Sequence, residues 1–183
     1  MNADSFIENT LHCDMQRQYL LLEKYVKPTC TIMDLGFGSG RDMLYFQSKG
    51  YTVCGIDTSP QFCNHAKEMG LDVQELSVLD LNRKNEVDAI WACASLLHIK
   101  SDDLSNALQH CYAALKPDGY MYVSFKYGDF EGERNGRYFT FMTEDAFRTY
   151  YEPVGFELVE TSISRDVRKE RMDKWLNVVL KRG

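Results

Sequence analysis

The chain of 183 residues predicts an α/β fold with a mostly parallel sheet covered by helices on both faces. Three observations carry this. Apolar, strand-like runs alternate with helical segments along the whole length. The first run opens into a glycine-rich turn, Ile32-Met33-Asp34-Leu35-Gly36-Phe37-Gly38-Ser39-Gly40, and the next run ends on a carboxylate, Asp57. A strand, a glycine turn, a helix and then an acid at the tip of the neighbouring strand suit an adenosine-containing ligand. Backbone amides face it at the turn, and the carboxylate grips ribose hydroxyls.

The elements follow in order. Residues 6–25 place Ile7, Leu11, Met15, Tyr19 and Leu22 at helical spacing, and Lys27-Pro28 ends that segment. Residues 31–35 form a buried strand. Residues 41–48 form a helix with Met43, Leu44 and Phe46 available for packing and Gly50 as its cap. A second strand covers 51–56. Ser59 caps the next helix, Pro60 suits its first position, and Gly70 ends it. Strands at 73–76 and 87–92, a helix over 101–115, a turn at 116–119 and a strand at 120–125 come next. Thr143 opens a helix with Glu144 and Asp145 in its first turn, and strands at 156–163 and 175–180 finish the chain.

Composition narrows the class. Hydrophobic residues make up 44% and charged residues 26%, as in an ordinary single globular domain spanning 1–183. A net charge of −6 opposes general nucleic-acid binding, which needs a cationic surface. No apolar run approaches about 18 residues and the start is polar, so neither a membrane span nor a signal peptide is expected. The six cysteines include no Cys-x-x-Cys pair and sit mostly in apolar stretches, which fits reduced thiols in a cytoplasmic protein. His12-Cys13, His110-Cys111 and Cys63-Asn64-His65 are neighbours in sequence, but adjacent helical residues point about 100° apart, so no metal site is expected.

The strand ends converge on one crevice. Gly36 to Gly40, Asp57, the Leu79 region and residues 93–98 all fall at carboxyl ends of strands, where ligands bind in such sheets. A dinucleotide fingerprint needs a third glycine three positions after the second; that position holds Arg41, and the third glycine comes early, at Gly40. Asp57 can hold a ribose cis-diol or cap the following helix, though Ser59 is better placed for capping. Asp34 either lies near the ligand or orders the glycine turn. His98 is a candidate general base, or else it structures its loop.

Four pieces together resemble class I S-adenosylmethionine-dependent methyltransferases of small bacterial type. They are residues 32–42, Gly55-Ile56-Asp57-Thr58-Ser59-Pro60, Ser95-Leu96-Leu97-His98-Ile99 and Leu115-Lys116-Pro117-Asp118-Gly119. The resemblance covers almost the whole chain. Gly38-Ser39-Gly40-Arg41-Asp42 and the short length are similar to the tellurite-resistance-like branch. The resemblance implies a Rossmann-like fold with seven strands, the last antiparallel. It also implies S-adenosyl-L-methionine as cofactor and S-adenosyl-L-homocysteine as product. On that basis cofactor contacts are expected from Asp34, Gly36, Phe37, Gly38, Gly40, Asp57, Thr58, Val78, Leu79, Asp80, Ala92 and Cys93. Phe37 stands where the family often has cysteine, and either stacks near the cofactor or fills space. Asp80 either reads the adenine amino group or is plain surface charge. The N-terminal segment 1–28 is often a lid in this family, which makes Phe6, Asn9 and Asp14 candidates beside a simple packing role.

The stretch 126–139 is long for a passive connection. Lys126, Tyr127, Arg134 and Arg137 can face substrate there, with the arginines holding an anionic group, or the stretch is a solvated hairpin with paired charges. The function this implies is methyl transfer to a small-molecule acceptor by direct displacement, in a monomer or homodimer. Two alternatives compete with it: a nicotinamide-dependent oxidoreductase and a non-catalytic S-adenosylmethionine-binding module.

Overall fold

The computed structural model describes residues 3–168 and 170–183. Met1 and Asn2, in the expected N-terminal segment, and Lys169, in the charged stretch 165–174, lie outside the described residues.

Strand β1 (Thr31–Leu35) is central, parallel to β2 (Thr52–Asp57) on one side and to β4 (Val87–Ala92) on the other. β3 (Asp72–Glu75) pairs parallel outside β2, and β5 (Leu115–Lys126) parallel outside β4. β9 (Lys174–Arg182) runs antiparallel between β5 and β8 (Phe156–Arg165). The order across the sheet is β3-β2-β1-β4-β5-β9-β8. The expected seven strands with an antiparallel last strand are therefore present. The chain winds outward from β1 and restarts at β4, so a crevice opens where those two strands end.

Side chains alternate across the sheet, as a period of two requires. Ile32, Ala89 and Trp91 join one core with residues of α2 (Gln16–Glu23), α3 (Arg41–Ser48) and α4 (Pro60–Glu68). Met33 and Ile90 join the other with α5 (Ser101–Ala114) and α6 (Glu144–Tyr151). The expected caps form: the Phe62 N–H donates to Ser59 Oγ at 3.3 Å, and the Ala146 N–H to Thr143 Oγ1 at 3.3 Å.

Two elements differ from expectation. The single helix over 6–25 is two helices, α1 (Ala3–Thr10) and α2, with a break at residues 11–15. Asp14 causes the restart: its Oδ1 accepts the Gln16 N–H at 2.9 Å, satisfying an amide that a new helix leaves open. The turn expected at 116–119 is absorbed into β5 as an irregularity of register, with Asp118 at φ 63.

One buried carboxylate joins three elements beneath the crevice. Asp42, on the first turn of α3, accepts from Arg41 Nε at 2.6 Å and Nη2 at 2.9 Å. It also accepts from Tyr19 Oη at 2.5 Å and Trp91 Nε1 at 2.9 Å. Burial pushes its pKa up, but Arg41 and the two neutral donors outweigh burial and hold it below the usual range. Removing this acceptor strands a buried guanidinium. Asp42→Ala is expected to cost about 3–5 kcal/mol in urea denaturation followed by tryptophan fluorescence. The depressed pKa sets the sign with pH: the carboxylate's contribution is complete above its unfolded value, about 3.9, and disappears as pH falls through the folded one.

Candidate functional site

The turn after β1 carries three left-handed glycines, Gly36 (φ 69), Gly38 (φ 54) and Gly40 (φ 76). Close approach explains two of them. A Cβ on Gly36 would lie 2.6 Å from Ser95 Cβ, and one on Gly38 would lie 2.9 Å from the Phe6 ring. Asp57, at the tip of β2, clamps the turn from the side. Its Oδ2 accepts the Gly38 N–H at 3.1 Å and its Oδ1 the Ser59 N–H at 2.9 Å. Burial raises its pKa, while those amides and the Arg137 charge pull it back in part.

Two buried oxygens at this turn have no partner among the described residues: Asp34 Oδ2 and Ser95 Oγ. Asp34 is 2% exposed, and burial, reinforced by the charge of Asp42, pushes its pKa well up. Cys93 lies beside the same charged groups, and burial raises its thiol to about 12, so it is neutral. The segment after β3 turns through a short 3-10 helix, Val78–Asp80, which Ser77 caps by accepting the Leu79 N–H at 3.2 Å. That segment is tied to the crevice through the Leu76 N–H, which donates to the Asp57 carbonyl at 3.0 Å.

A roof covers the crevice from two directions. Helix α1 lies over the glycine turn, with Phe6 against Gly38 and 5.2 Å from the Phe62 ring. Arg41 Nη1 donates to the Thr10 carbonyl at 3.1 Å and fixes the end of that helix. From the other side comes a hairpin of β6 (Glu131–Arg134) and β7 (Arg137–Thr140). His98 meets it with both ring nitrogens: Nδ1 is 2.7 Å from the Tyr138 carbonyl and Nε2 is 2.7 Å from Arg137 Nη2. A carbonyl only accepts and a guanidinium only donates, so Nδ1 carries the proton and the Nε2 lone pair is taken. Burial lowers the His98 pKa to about 4; the Tyr138 carbonyl opposes this, and the charges of Arg137 and Lys126 add to it.

A family model described as a methyltransferase domain matches residues 32–119, from β1 into the turn of β5. Over those residues the chain carries a methyltransferase domain, and it is an S-adenosylmethionine-dependent methyltransferase by activity. A methyltransferase of uncharacterized activity from Staphylococcus carnosus is 27% identical over 161 residues, 82% of this chain and 78% of its own. A carboxy-S-adenosyl-L-methionine synthase from Vibrio atlanticus is 26% identical over 80% of this chain, which spans 63% of that relative. Among solved structures, 1,6-didemethyltoxoflavin-N1-methyltransferase of Burkholderia thailandensis, crystallised with 1,6-didemethyltoxoflavin and S-adenosylhomocysteine, superposes with a TM-score of 0.82 at 20% identity. That likeness covers 98% of this chain and 82% of the other. A methyltransferase from Methanosarcina mazei superposes with a TM-score of 0.78 at 16% identity, covering 88% and 96%.

The methyltransferase crevice fits the cofactor of its class, S-adenosylmethionine. The glycine turn leaves its backbone without side chains where Ser95 and Phe6 approach it, and the unpartnered Asp34 and Ser95 oxygens suit a ligand carrying polar hydrogens. Asp34, Gly36, Gly38, Asp57, Cys93 and His98 lie at or just beyond the carboxyl ends of β1, β2 and β4. Ala92 is buried at the end of β4, Thr58 is exposed beside Asp57, and Asp80 is exposed at the rim.

Several expectations need correction. The Phe37 side chain is core, not crevice: it packs on Gly55, where a Cβ would lie 2.8 Å from its ring, so only its backbone remains for the cofactor. Arg134 does not join Arg137; its guanidinium stacks 3.7 Å from the Phe130 ring centre, on the hairpin's own aromatics. Lys126 is neutralised by Asp173 at 2.8 Å. Tyr127 bridges in backbone to Met142 and lies beside Glu144. Asp14 accepts the Gln16 N–H just ahead of α2 and Asn9 bonds back to Ser5 within its own helix, in keeping with the packing role given as the alternative for both. The reading of the sequence missed Ser95 as a site residue, and also the Asp42 network. Among the described residues no group of three or more His, Cys, Asp or Glu side chains could hold a metal ion. No helix of the described residues is long and apolar enough to cross a membrane.

Two measurements check this geometry. Nitrogen-resolved NMR of histidine-labelled protein at about pH 6 is expected to show His98 neutral with its proton on Nδ1, taking up a second proton only near about 4. A doubly protonated ring at that pH contradicts the bond to Arg137. The second check concerns Asp34, whose folded pKa lies above its unfolded one. Its contribution to stability is complete below the unfolded value and is lost as pH rises through the folded one. Asp34→Asn is therefore expected to raise unligated stability at neutral pH by about 1 kcal/mol and to weaken S-adenosylhomocysteine binding, read by thermal denaturation with and without ligand.

Proposed function

We propose that this methyltransferase transfers the methyl group of S-adenosylmethionine to a small-molecule acceptor held beneath the β6–β7 hairpin. The observation that carries this reading is the closed roof. Phe6 from α1 lies on Gly38 and Arg137 from the hairpin lies on His98, and a crevice covered from both sides suits an acceptor of metabolite size better than a polymer. The net charge of −6 supports the same choice. The Burkholderia relative in fold, named for a small heteroaromatic acceptor, is in keeping with it.

The chain's own residues have separable parts in this reading. Gly36, Gly38 and the backbone of Phe37 and Gly40 form the cradle; Asp57 accepts ribose hydroxyls. Asp34 and Ser95 offer their open oxygens to the polar end of the cofactor. Thr58, Val78, Leu79 and Asp80 border the adenine side, and Ala92 and Cys93 line the floor without ionising. Bound S-adenosylmethionine supplies a methyl group already activated on a positively charged sulfur. The protein then has to align the acceptor, exclude water and, for a protic acceptor, hold a proton. His98 Nε2 is placed for that last task once Arg137 leaves it. The chain acts in the cytoplasm in this reading, and the similarity of residues 38–42 to the tellurite-resistance-like branch adds nothing about the acceptor.

The nicotinamide alternative loses its footing at Arg41. The third glycine of a dinucleotide fingerprint lets the helix pack closely on the sheet; Arg41 stands in its place, locked to Asp42 and to the Thr10 carbonyl. The test is ligand-dependent melting. S-adenosylhomocysteine at a hundredfold excess over Kd is expected to stabilise the protein by about 2.7 kcal/mol, and Asp57→Ala to remove that rise. Absence of any rise in the wild type, with turnover absent across a panel of small acceptors, overturns the proposal.

A further inference from the structure

Arg137 is a cation with no carboxylate at salt-bridge distance among the described residues. Arg41, Arg83, Arg148 and Arg168 each lie within salt-bridge distance of a carboxylate. Among the described residues no carboxylate lies that close to Arg137. Its Nη2 donates instead to a neutral imidazole, His98 Nε2, at 2.7 Å. Burial lowers the Arg137 pKa and the charge of Asp57 opposes this, so Asp57 is the anion that partly holds the cation. Both Asp57 oxygens already accept backbone amides.

The strand that carries Arg137 is pinned. Asn135 (φ 53) and Gly136 (φ 73) are both left-handed, as a two-residue type I′ hairpin turn requires. The Tyr138 carbonyl accepts from His98 Nδ1, and Thr140 Oγ1 donates to the Ile99 carbonyl at 2.7 Å. Glu131 Oε1 accepts both the Ser101 N–H at 2.9 Å and Tyr138 Oη at 2.8 Å. A solvent-exposed guanidinium on a fixed strand, bonded to a neutral group and leaving most of its five N–H donors open, is arranged for an anion from outside the chain.

We propose that Arg137 selects the methyl acceptor, that the acceptor bears a single carboxylate, and that this carboxylate replaces His98 Nε2 as the partner of the guanidinium. The proposal deepens the small-molecule reading above and rests on it. Charge argues for the monoanion. One guanidinium stands near the Asp57 carboxylate, and a dianion such as phosphate would bring a second negative charge against a single Arg137 cation. Geometry argues the same way, because the planar fork matches a carboxylate with two parallel hydrogen bonds. The exchange has a second effect. When the guanidinium turns to the acceptor, the Nε2 lone pair of His98 is uncovered, so anchoring and proton acceptance become available together. Arg134, stacked on Phe130, takes no part.

The test uses the full chain, labelled at histidine nitrogens and saturated with S-adenosylhomocysteine. Acetate and acetamide, benzoate and benzamide, salicylate and salicylamide, and inorganic phosphate are titrated while the His98 Nε2 resonance is followed. At least one acid is expected to shift that resonance saturably and to bind about tenfold or more tighter than its amide, with phosphate weaker. Arg137→Gln is expected to lose the preference and Arg134→Gln to keep it. If Arg137→Gln fails to fold, Arg137→Lys, which keeps the charge without the planar fork, makes the same comparison and is expected to weaken the preference. Equal binding of acids and amides, no binding of any acid, tighter binding of phosphate, or an undiminished preference in the Arg137 variant overturns the inference. Calorimetry of S-adenosylhomocysteine binding to the wild type separates the two claims. No binding defeats the methyltransferase reading; normal binding without acid preference defeats this inference alone.

Discussion

The Asp42 carboxylate is the constraint on which the site depends. It gathers donors from α2, α3 and β4, elements that meet only in the folded chain. A buried carboxylate with four donors is a fixed point, because moving any one element leaves a charge or an indole N–H unsatisfied. Trp91 in turn stacks on Tyr122 at 4.1 Å, extending the fixed point across the sheet to β5. Arg41 extends it upward to the Thr10 carbonyl and so holds α1 over the glycine turn. The floor, the start of α3 and one half of the roof are thus set by one network, and the glycine turn is strung between them.

That placement explains why the turn has so little freedom in composition. Gly36 is not there only for its φ of 69; Ser95 occupies the space that any side chain would take. Asp57 adds a lateral tie through the Gly38 amide. Desolvation at Asp34 and Asp57 then works against the unligated protein, since both carboxylates are held where ionisation is disfavoured. Binding and stability pull in opposite directions at these positions, as is common where a site must wait for its ligand.

Much of this was legible in the chain. The strand-to-glycine-turn-to-helix sequence and the acid at Asp57 are local patterns, and the sheet followed from alternation alone. What stayed hidden depends on contacts distant in sequence. Leu11 and Met15 keep helical phase through residues 11–15, so periodicity passes over the break that Asp14 introduces. Asp42 beside Arg41 looks like a solvated pair until Tyr19 and Trp91 close over it. Phe37 lies between glycines and looks like part of the crevice, yet Gly55 opens a slot for it in the core. An isolated glycine inside a strand was the available signal. Arg134 and Arg137 flank one Asn-Gly turn and are equivalent by type; only docking of the hairpin on His98 tells them apart.

The hairpin is where the general fold becomes a particular enzyme. In the proposed reading the glycine turn and Asp57 address what all acceptors share, the adenosyl donor, and say nothing about the second substrate. The β6–β7 hairpin brings Arg137 to the crevice and covers His98 Nε2, and both acts fall on the same residue pair. A guanidinium bonded to imidazole is a weak contact beside a guanidinium bonded to a carboxylate, because only the second is assisted by charge on both partners. The unligated arrangement therefore closes the site over a neutral, masked His98 without competing strongly with an anionic ligand. If Arg137 takes the acceptor as proposed, specificity and exposure of His98 rest on a single difference in hydrogen-bond strength.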